Sequence, residues 1–320
     1  TISRDFLPTE RSVISSHFVE RNEILDWDYA QFPNSMIWMV RDDGAALTLT
    51  HMREHELYGW SKHSTQGSFE SVCAIPEGPE NGVYFSTLRT INGVEVRYIE
   101  RLSSRRYNDI KDAHFVDCGL SYDVPVTVTD VARGETTTLT APGHGCVAGD
   151  SVDLDEFTGT TEFNGNRYRV IGIDGDVLGL STRYIEDEEA DYLDSSEYGA
   201  WTGGGVLRKV VSSIGGADHL AGATVSLLID GNDAGQMVWA AGLNTLPYAG
   251  ARVHLGLPYV SYMQTLSIAA EPAAYSKKKA IQNVTLWLNE TRGIEVGPRK
   301  DGNFDNLKPV SYTHLTLPTN

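Results

Sequence analysis

The stretch VYFSTLRTI-NG-VEVRYIERL, residues 83–102, constrains the fold more than any other. Asn92-Gly93 suits the two positive-φ positions of a type I′ turn. The runs on either side alternate apolar and polar residues, so the segment specifies a β-hairpin. The same grammar recurs before it. MIWMV (36–40), a turn at Asp42-Asp43-Gly44 and AALTLTHM (45–52) lead into ELYGWSKHS (56–64) and GSFESVCAI (67–75), with PEGPENG (76–82) as a loop. Short strands at regular spacing predict a mainly β fold, with a propeller-like or meander region over residues 1–124. Two interruptions are expected. FVERNEILDWDYA (18–30), in a region that Pro8 and Pro33 bracket with extended chain, has the look of a short helix, and residues 103–116 hold another.

Residues 125–209 read as a separate module. VTVTDV, TTTLTAP, DSVDLDEF, RYRVIGI, DVLGLST and GGVLRKV are six short strands, punctuated by RGE, GHGCVAGD, NGN and DGD. Turns this rich in Gly, Asn and Asp between short runs predict an inserted small β-barrel. Within it EDEEADYLDSSE (186–197) carries seven acids and no base, as expected of a solvated loop. Residues 210–310 alternate again. In NVTLWLNET, Val284, Leu286 and Leu288 share one face and Thr285, Trp287 and Asn289 the other. A C-terminal β-sandwich-like region is expected there. The last ten residues, SYTHLTLPTN (311–320), resemble translated sequencing adapter and are expected to add nothing to the fold. The natural chain is then expected to continue past Pro309. It starts at Thr1 without Met, so an N-terminal segment is expected to be missing as well.

Composition narrows the function. With 26 Lys and Arg against 43 Asp and Glu, the net charge is -17. That opposes wrapping of nucleic acid, which needs a basic footprint, and adhesion to anionic membranes. An acidic wall beside DNA repels phosphate and does not trap it. No apolar run approaches the roughly 18 to 20 residues that cross a bilayer. Cys73, Cys118 and Cys146 lack CxxC spacing, so neither a disulfide framework nor a structural zinc site is expected.

Each catalytic or metal template fails on a required part. His144 and Cys146, in HGCVAGDSV (144–152), sit at i and i+2 and meet on one side of an extended segment. Asp150 nearby raises a thiol pKa, though, and no helix N-terminus or cation is in view, so a glycine-shaped turn is expected. His51 and His55 fall on a predicted strand, where their Cα atoms stand about 13 Å apart. In DGNDAGQ, Asp230, Asn232 and Gly235 match calcium-loop positions, but Ala234 and Ala241 break the ligand set and leave a hairpin turn. GWSKH (59–63) lacks the second glycine of a nucleophile elbow. No phosphate-binding loop or dinucleotide fingerprint occurs. SKKKA (276–280) reads as a solvated tip, and the sequons at Asn283 and Asn289 mean little without a secretory route. The expected catalytic, cofactor and metal residues are none, no cofactor is expected, the binding residues are unassigned, and a non-enzyme is favoured.

Two sets of residues carry a resemblance. PNSMIWMVRDDGAALTLTHMREHELYGWSKHSTQGSFESVCAIPEG with VYFSTLRTINGVEVRYIERL is similar to the tail nozzle (tail hub, or DNA-stabilisation) proteins of short-tailed bacteriophages. Matching positions are Trp38, Arg41, Asp43, Gly44, Leu49, Thr50, Arg53, Glu54, Trp60, His63, Gly67, Gly93, Tyr98, Ile99 and Glu100. DHLAGATVSLLIDG and VHLGLPYVS extend the likeness over most of residues 28–300. HGCVAGDSVDLDEFTGTTEFNGNRYRVIGID with GGVLRK resembles the β-barrel module named after the first catalytic-cysteine half-domain of ubiquitin-activating enzymes. Cys146 stands there at a packing position, and no ubiquitin chemistry is implied.

The resemblance implies a structural virion protein of a short tail, assembled in the bacterial host cytoplasm. Copies of the chain, six by expectation, would ring the DNA exit channel, with adaptor and fibre proteins as neighbours. The ring would help retain packaged DNA and pass it on without specific binding. Flat apolar and aromatic patches would hold the ring together. The rival is a carbohydrate-binding or carbohydrate-degrading tail appendage, a fibre or spike, with Trp201 and Trp239 stacking on sugars. Against it stand the lack of an arguable carboxylate pair and of a long repeat. An enzyme acting through Cys146 is a distant third.

Overall fold

The structure, a computed structural model, describes residues 16–52, 57–104, 106–182, 191–264, 283–287, 294–297, 302, 304–306 and 314–318. The chain divides into two units, Thr1–Val260 and Ser261–Asn320. Both are built from antiparallel strands, and the protein is mainly β.

The first unit begins with two meanders. Strands β1 (Ile24–Ala30), β2 (Met36–Arg41), β3 (Ala46–Met52) and β4 (Leu57–His63) form one sheet in sequence order. Strands β5 (Ser68–Glu77), β6 (Glu80–Ile91) and β7 (Val94–Arg101) form the next. Ile91 faces Val94 across Asn92 (φ 48) and Gly93 (φ 79), the positive-φ pair expected from the sequence. Three expectations give way here. Residues 24–30 are strand β1, not helix, because Asp26, Asp28 and Ala30 alternate with Leu25, Trp27 and Tyr29 at period two. PEGPENG is no loop: β5 and β6 stay paired out to Glu77 and Glu80, leaving a two-residue turn. In 103–116 the helical content among the described residues is a single 3-10 turn at Ile110–Asp112, with Asp109 capping Lys111 N.

β1 is an edge strand with its polarity reversed. Asp26 and Asp28 point inward, and their Oδ2 atoms accept from the backbone N–H groups of Val72 and Ala74 on β5, at 3.0 and 2.7 Å. Their Oδ1 atoms accept from Trp27 and Tyr29 N–H. Each carboxylate thus bridges the amides of two strand edges that have no backbone partner there. Ala30, Met36, Trp38, Val40 and Ala46 then pack against Val72, Val83 and Phe85 to make the core between the two meanders.

β8 (Asp117–Asp123) leaves these meanders for a different sheet. The next strands are β9 (Pro125–Thr127), β10 (Asp130–Ala132), β11 (Thr138–Thr140), β12 (Ser151–Thr158), β13 (Asn166–Asp174), β14 (Val177–Ser181) and β15 (Gly203–Lys209). Their order, β10-β11-β14-β13-β12-β15-β9, brings the two ends of the sheet together, because β9 and β10 are consecutive in the chain. Val128 N–H bonds Gly205 O on one side and Thr129 N–H bonds Thr140 O on the other, which closes the barrel and removes its edges. Its core holds Leu139, Val152, Leu154, Phe163, Leu178, Leu180 and Leu207. Each fully buried leucine there contributes about 2 kcal/mol. The acid-rich stretch expected as a solvated loop is only partly so. Within its described part, Leu193 and Ser195 are buried, and Leu193 bonds Leu180 O and Thr137 N.

After the barrel come β16 (Val211–Ile214), β17 (Thr224–Ile229), β18 (Asn232–Val238), β19 (Asn244–Gly250) and β20 (Arg252–Leu257). One sheet runs β18-β17-β20-β8, and β16 pairs with β19. Both contribute to one core: Ile214 and Leu246 from the pair, Val225, Leu227, Ile229, Val253 and Leu255 from the larger sheet. β8 precedes the barrel and β20 follows it, so the barrel interrupts a sheet that pairs across it, Asp123 facing Arg252.

Three arginines fasten barrel to sheet. Arg208 on β15 bonds Asp123 at 2.7 Å, Arg167 on β13 holds both Asp153 and Asp230, and Arg252 on β20 reaches Asp112 and Asp155. In the second unit, β21 (Asn283–Trp287) pairs with β24 (His314–Pro318), and β22 (Glu295–Val296) with β23 (Asp305–Asn306). Residues 314–318, expected to add no element, form a strand, as the alternation of Leu315 and Leu317 with His314 and Thr316 permits.

The reversed edge makes a prediction. Asp28→Ala leaves a strand-edge amide without its acceptor and costs about 1–2 kcal/mol in guanidinium unfolding. Trp27→Ser on the opposite face changes the midpoint little. Equal effects from the two substitutions would refute this account of β1.

Candidate functional site

His144 and Cys146 do meet, but not as base and nucleophile. Cys146 N–H donates to His144 Nδ1 at 2.9 Å. Nε2 therefore carries the ring proton and donates to Gly175 O at 3.1 Å. The lone pair that a base needs is occupied. Cys146 is 6% exposed within the barrel core, and its Sγ donates to His144 O. Burial pushes the thiol up to about 11, with Lys209 opposing and Asp150 adding to the rise. The stretch is a turn whose histidine ties its own loop to the neighbouring one.

The other candidates disperse. His51 lies on β3 and stacks on Tyr58, while His55 lies outside the described residues, as do the 276–280 basic run and Asn289. Asn283 is on β21 and GWSKH on β4. Asp230-Gly231 is a hairpin turn between β17 and β18, and Asp230 Oδ1 accepts from Ala251 and Arg252 N–H. Among the described residues no three His, Cys, Asp or Glu side chains are grouped to hold a metal ion. Trp239 is fully buried, which corrects its assignment as a sugar platform. Trp201 packs against the barrel core and donates to Gly204 O.

One pair escaped the sequence. Ser121 on β8 donates to His254 Nδ1 across the strands at 2.6 Å, and His254 Nε2 bonds Lys111 O at 2.8 Å. His114 packs edge-on against His254, and burial, with help from His254, pushes it down to about 4. The arrangement satisfies both nitrogens of a buried ring. Its three parts come from distant segments, so spacing gives no signal.

Several of the residues that carry the family resemblance pack or bond within the two meanders, while Ile99 is 75% exposed. Trp38 is buried between His63 and Phe85, and His63 Nε2 bonds Thr48 Oγ1. Arg41 forks onto Asp43 and donates to Phe18 O, and its guanidinium holds the Asp43 carboxyl down at about 2. A Cβ on Gly67 would stand 2.3 Å from Leu88 O, so only glycine fits. Glu100 grips Arg89, itself 1% exposed, and Arg89 reaches Thr65, which donates to Asp117. Tyr98 sits edge-on to His219. Arg53 and Glu54 lie outside the described residues.

One outward strand face is apolar. Leu25, Trp27 and Tyr29 line the solvent face of β1, with Trp27 64% exposed, and Phe32 follows in the next turn. A patch of this kind on a mainly polar surface marks a contact site. No protein-family model matches the chain, and no curated protein matches its sequence significantly.

The thiols give a direct test. Burial raises Cys118 to about 12 and Cys146 to about 11, while Cys73 is exposed. Iodoacetamide at pH 8 is expected to label Cys73 alone in the folded chain and all three in guanidinium, as read by intact mass. Native labelling of Cys146 would restore it as a nucleophile.

Proposed function

We propose that this chain is a structural subunit of a short bacteriophage tail, forming with copies of itself a ring around the DNA exit channel. The observation that carries the reading is the use made of the family-like residues. Trp38, Arg41, Asp43, His63, Gly67 and Glu100 serve as packing, capping and ion-pair positions of the two meanders. A family defined by such positions is defined by its framework and not by chemistry. The uncharged stripe on β1 suits association between copies, because a chain with net charge -17 gains nothing from contact through its charged surface. The same charge suits passage of DNA without grip.

The rival is a carbohydrate-binding or carbohydrate-degrading appendage, and its degrading form needs a pair of carboxyl groups, one acting as an acid. Asp153 and Asp230 lie close together, but both carboxylates are taken up by bonds to the one Arg167 guanidinium. That favours a structural role over glycoside hydrolysis.

Negative-stain microscopy and mass photometry of the purified chain test the reading. Closed rings of one copy number, six by expectation, with no polysaccharide hydrolysis and no retention of duplex DNA at physiological salt, support it. Trp27→Ser is expected to shift the population toward monomer by about tenfold in dissociation constant. A monodisperse monomer, or tight duplex binding, would end it.

A further inference from the structure

A cleft of about 350 Å³ opens where the barrel meets the β17–β20 sheet, lined by Lys111, Asp153, Arg167, Asp230, Asn232 and Tyr248. That volume falls within the range of small-molecule sites. Its polar groups are unevenly spent. Arg167 spends its Nε and Nη2 donors on Asp153 and Asp230. The Lys111 ammonium and the Tyr248 hydroxyl have no partner among the described residues. Tyr248 is 43% exposed.

The acceptors also have capacity left. An ionised carboxylate offers about four lone-pair sites. Asp230 Oδ1 accepts two backbone N–H groups, but Oδ2 accepts only Arg167, and each Asp153 oxygen accepts a single bond from the same guanidinium. The cleft therefore offers spare acceptors, a free ammonium, a free phenol and an aromatic face. Its charges cancel, with Lys111 and Arg167 against Asp153 and Asp230, inside a protein of net charge -17. An anionic ligand meets an unfavourable field there. A ligand that is uncharged, supplies many hydroxyls as both donors and acceptors, and presents C–H faces to an aromatic ring meets complementary groups throughout.

We propose that this cleft binds a neutral saccharide, with Tyr248 stacking on the sugar ring, Lys111 donating to its hydroxyls, and Asp153 and Asp230 accepting from them. Both carboxylates act here as acceptors, and each is already bonded to Arg167. The site lies within a single subunit, so it stands whether or not copies assemble into a ring.

The test uses the full chain on an array printed with neutral and carboxylate-bearing oligosaccharides. Neutral ligands found there are then titrated by saturation-transfer NMR against their uronic-acid counterparts. The expected result is binding of neutral sugars, weakened about tenfold or more by Tyr248→Ala and less by Tyr248→Phe. Lys111→Ala weakens it as well. Tyr248 is exposed on β19, and an unchanged melting curve for each variant excludes unfolding as the cause. Absence of any saccharide binding, binding that ignores Tyr248→Ala, or a carboxylated sugar bound at least as tightly as its neutral counterpart would overturn the proposal. Mass photometry on the same samples reads ring formation separately, so failure of either idea is visible without the other.

Discussion

An antiparallel sheet ends in rows of backbone amides that lack partners, and much of this chain's polar chemistry goes into meeting them. Asp26 and Asp28 supply oxygens to the amides of β5, where no strand is present to do so. Asp230 does the same for Ala251 and Arg252. Asn164 accepts from Phe157 N–H and donates to Phe157 O, and Asn244 treats Ala240 likewise. The barrel dispenses with edges by closing through Val128 and Thr129. These side chains stand in for absent strands, which is why polar residues cluster at these turns.

The arginines solve a second problem, that of orientation. Arg252 and Arg208 are nearly buried and reach carboxylates on both sides of the junction between the barrel and the interrupted sheet. Buried ion pairs are poor sources of net stability, because desolvation offsets most of the attraction. Their geometry is demanding, however, and these pairs plus the bridge from Arg167 admit few mutual orientations of barrel and sheet. Arg89 plays the same part between β6, β7 and the segment before β5, where Glu100, Thr65 and Gln66 O hold it. A barrel on a two-stranded leash would otherwise be free to swing. Held in this way, it forms one wall of the Tyr248 cleft.

Legibility in the sequence followed locality. Asn92-Gly93 and Asp230-Gly231 are two-residue turns whose requirement for positive φ is written in the residues themselves, and both hairpins form. The mainly β class follows from many such signals. β1 was harder to see. Its acids face inward and its aromatics outward, so the usual polar-out rule misleads, and only contact with β5 explains it. Trp239 reads as an exposed aromatic at a strand end until the β17–β20 sheet is assembled around it. Ser121 with His254, Arg252 with Asp112, and the cleft residues Lys111, Arg167 and Tyr248 join segments far apart in the chain. Pairings of that kind depend on topology, which no window of sequence contains.

The β1 stripe and the cleft offer a partner different things. The β1 stripe is apolar and lies on a strand whose polar side chains are already committed inward, so water is its poorest neighbour and a flat apolar partner its best. The cleft is the opposite case. Its Arg167, Asp153 and Asp230 are positioned by bonds to one another, and only part of their capacity is used. Groups fixed by internal bonds lose little entropy when a ligand arrives, so even a weakly held, hydroxyl-rich molecule meets a preorganised site. The proposed contact between copies and the proposed binding of a smaller molecule are compatible, because the two surfaces share no residue.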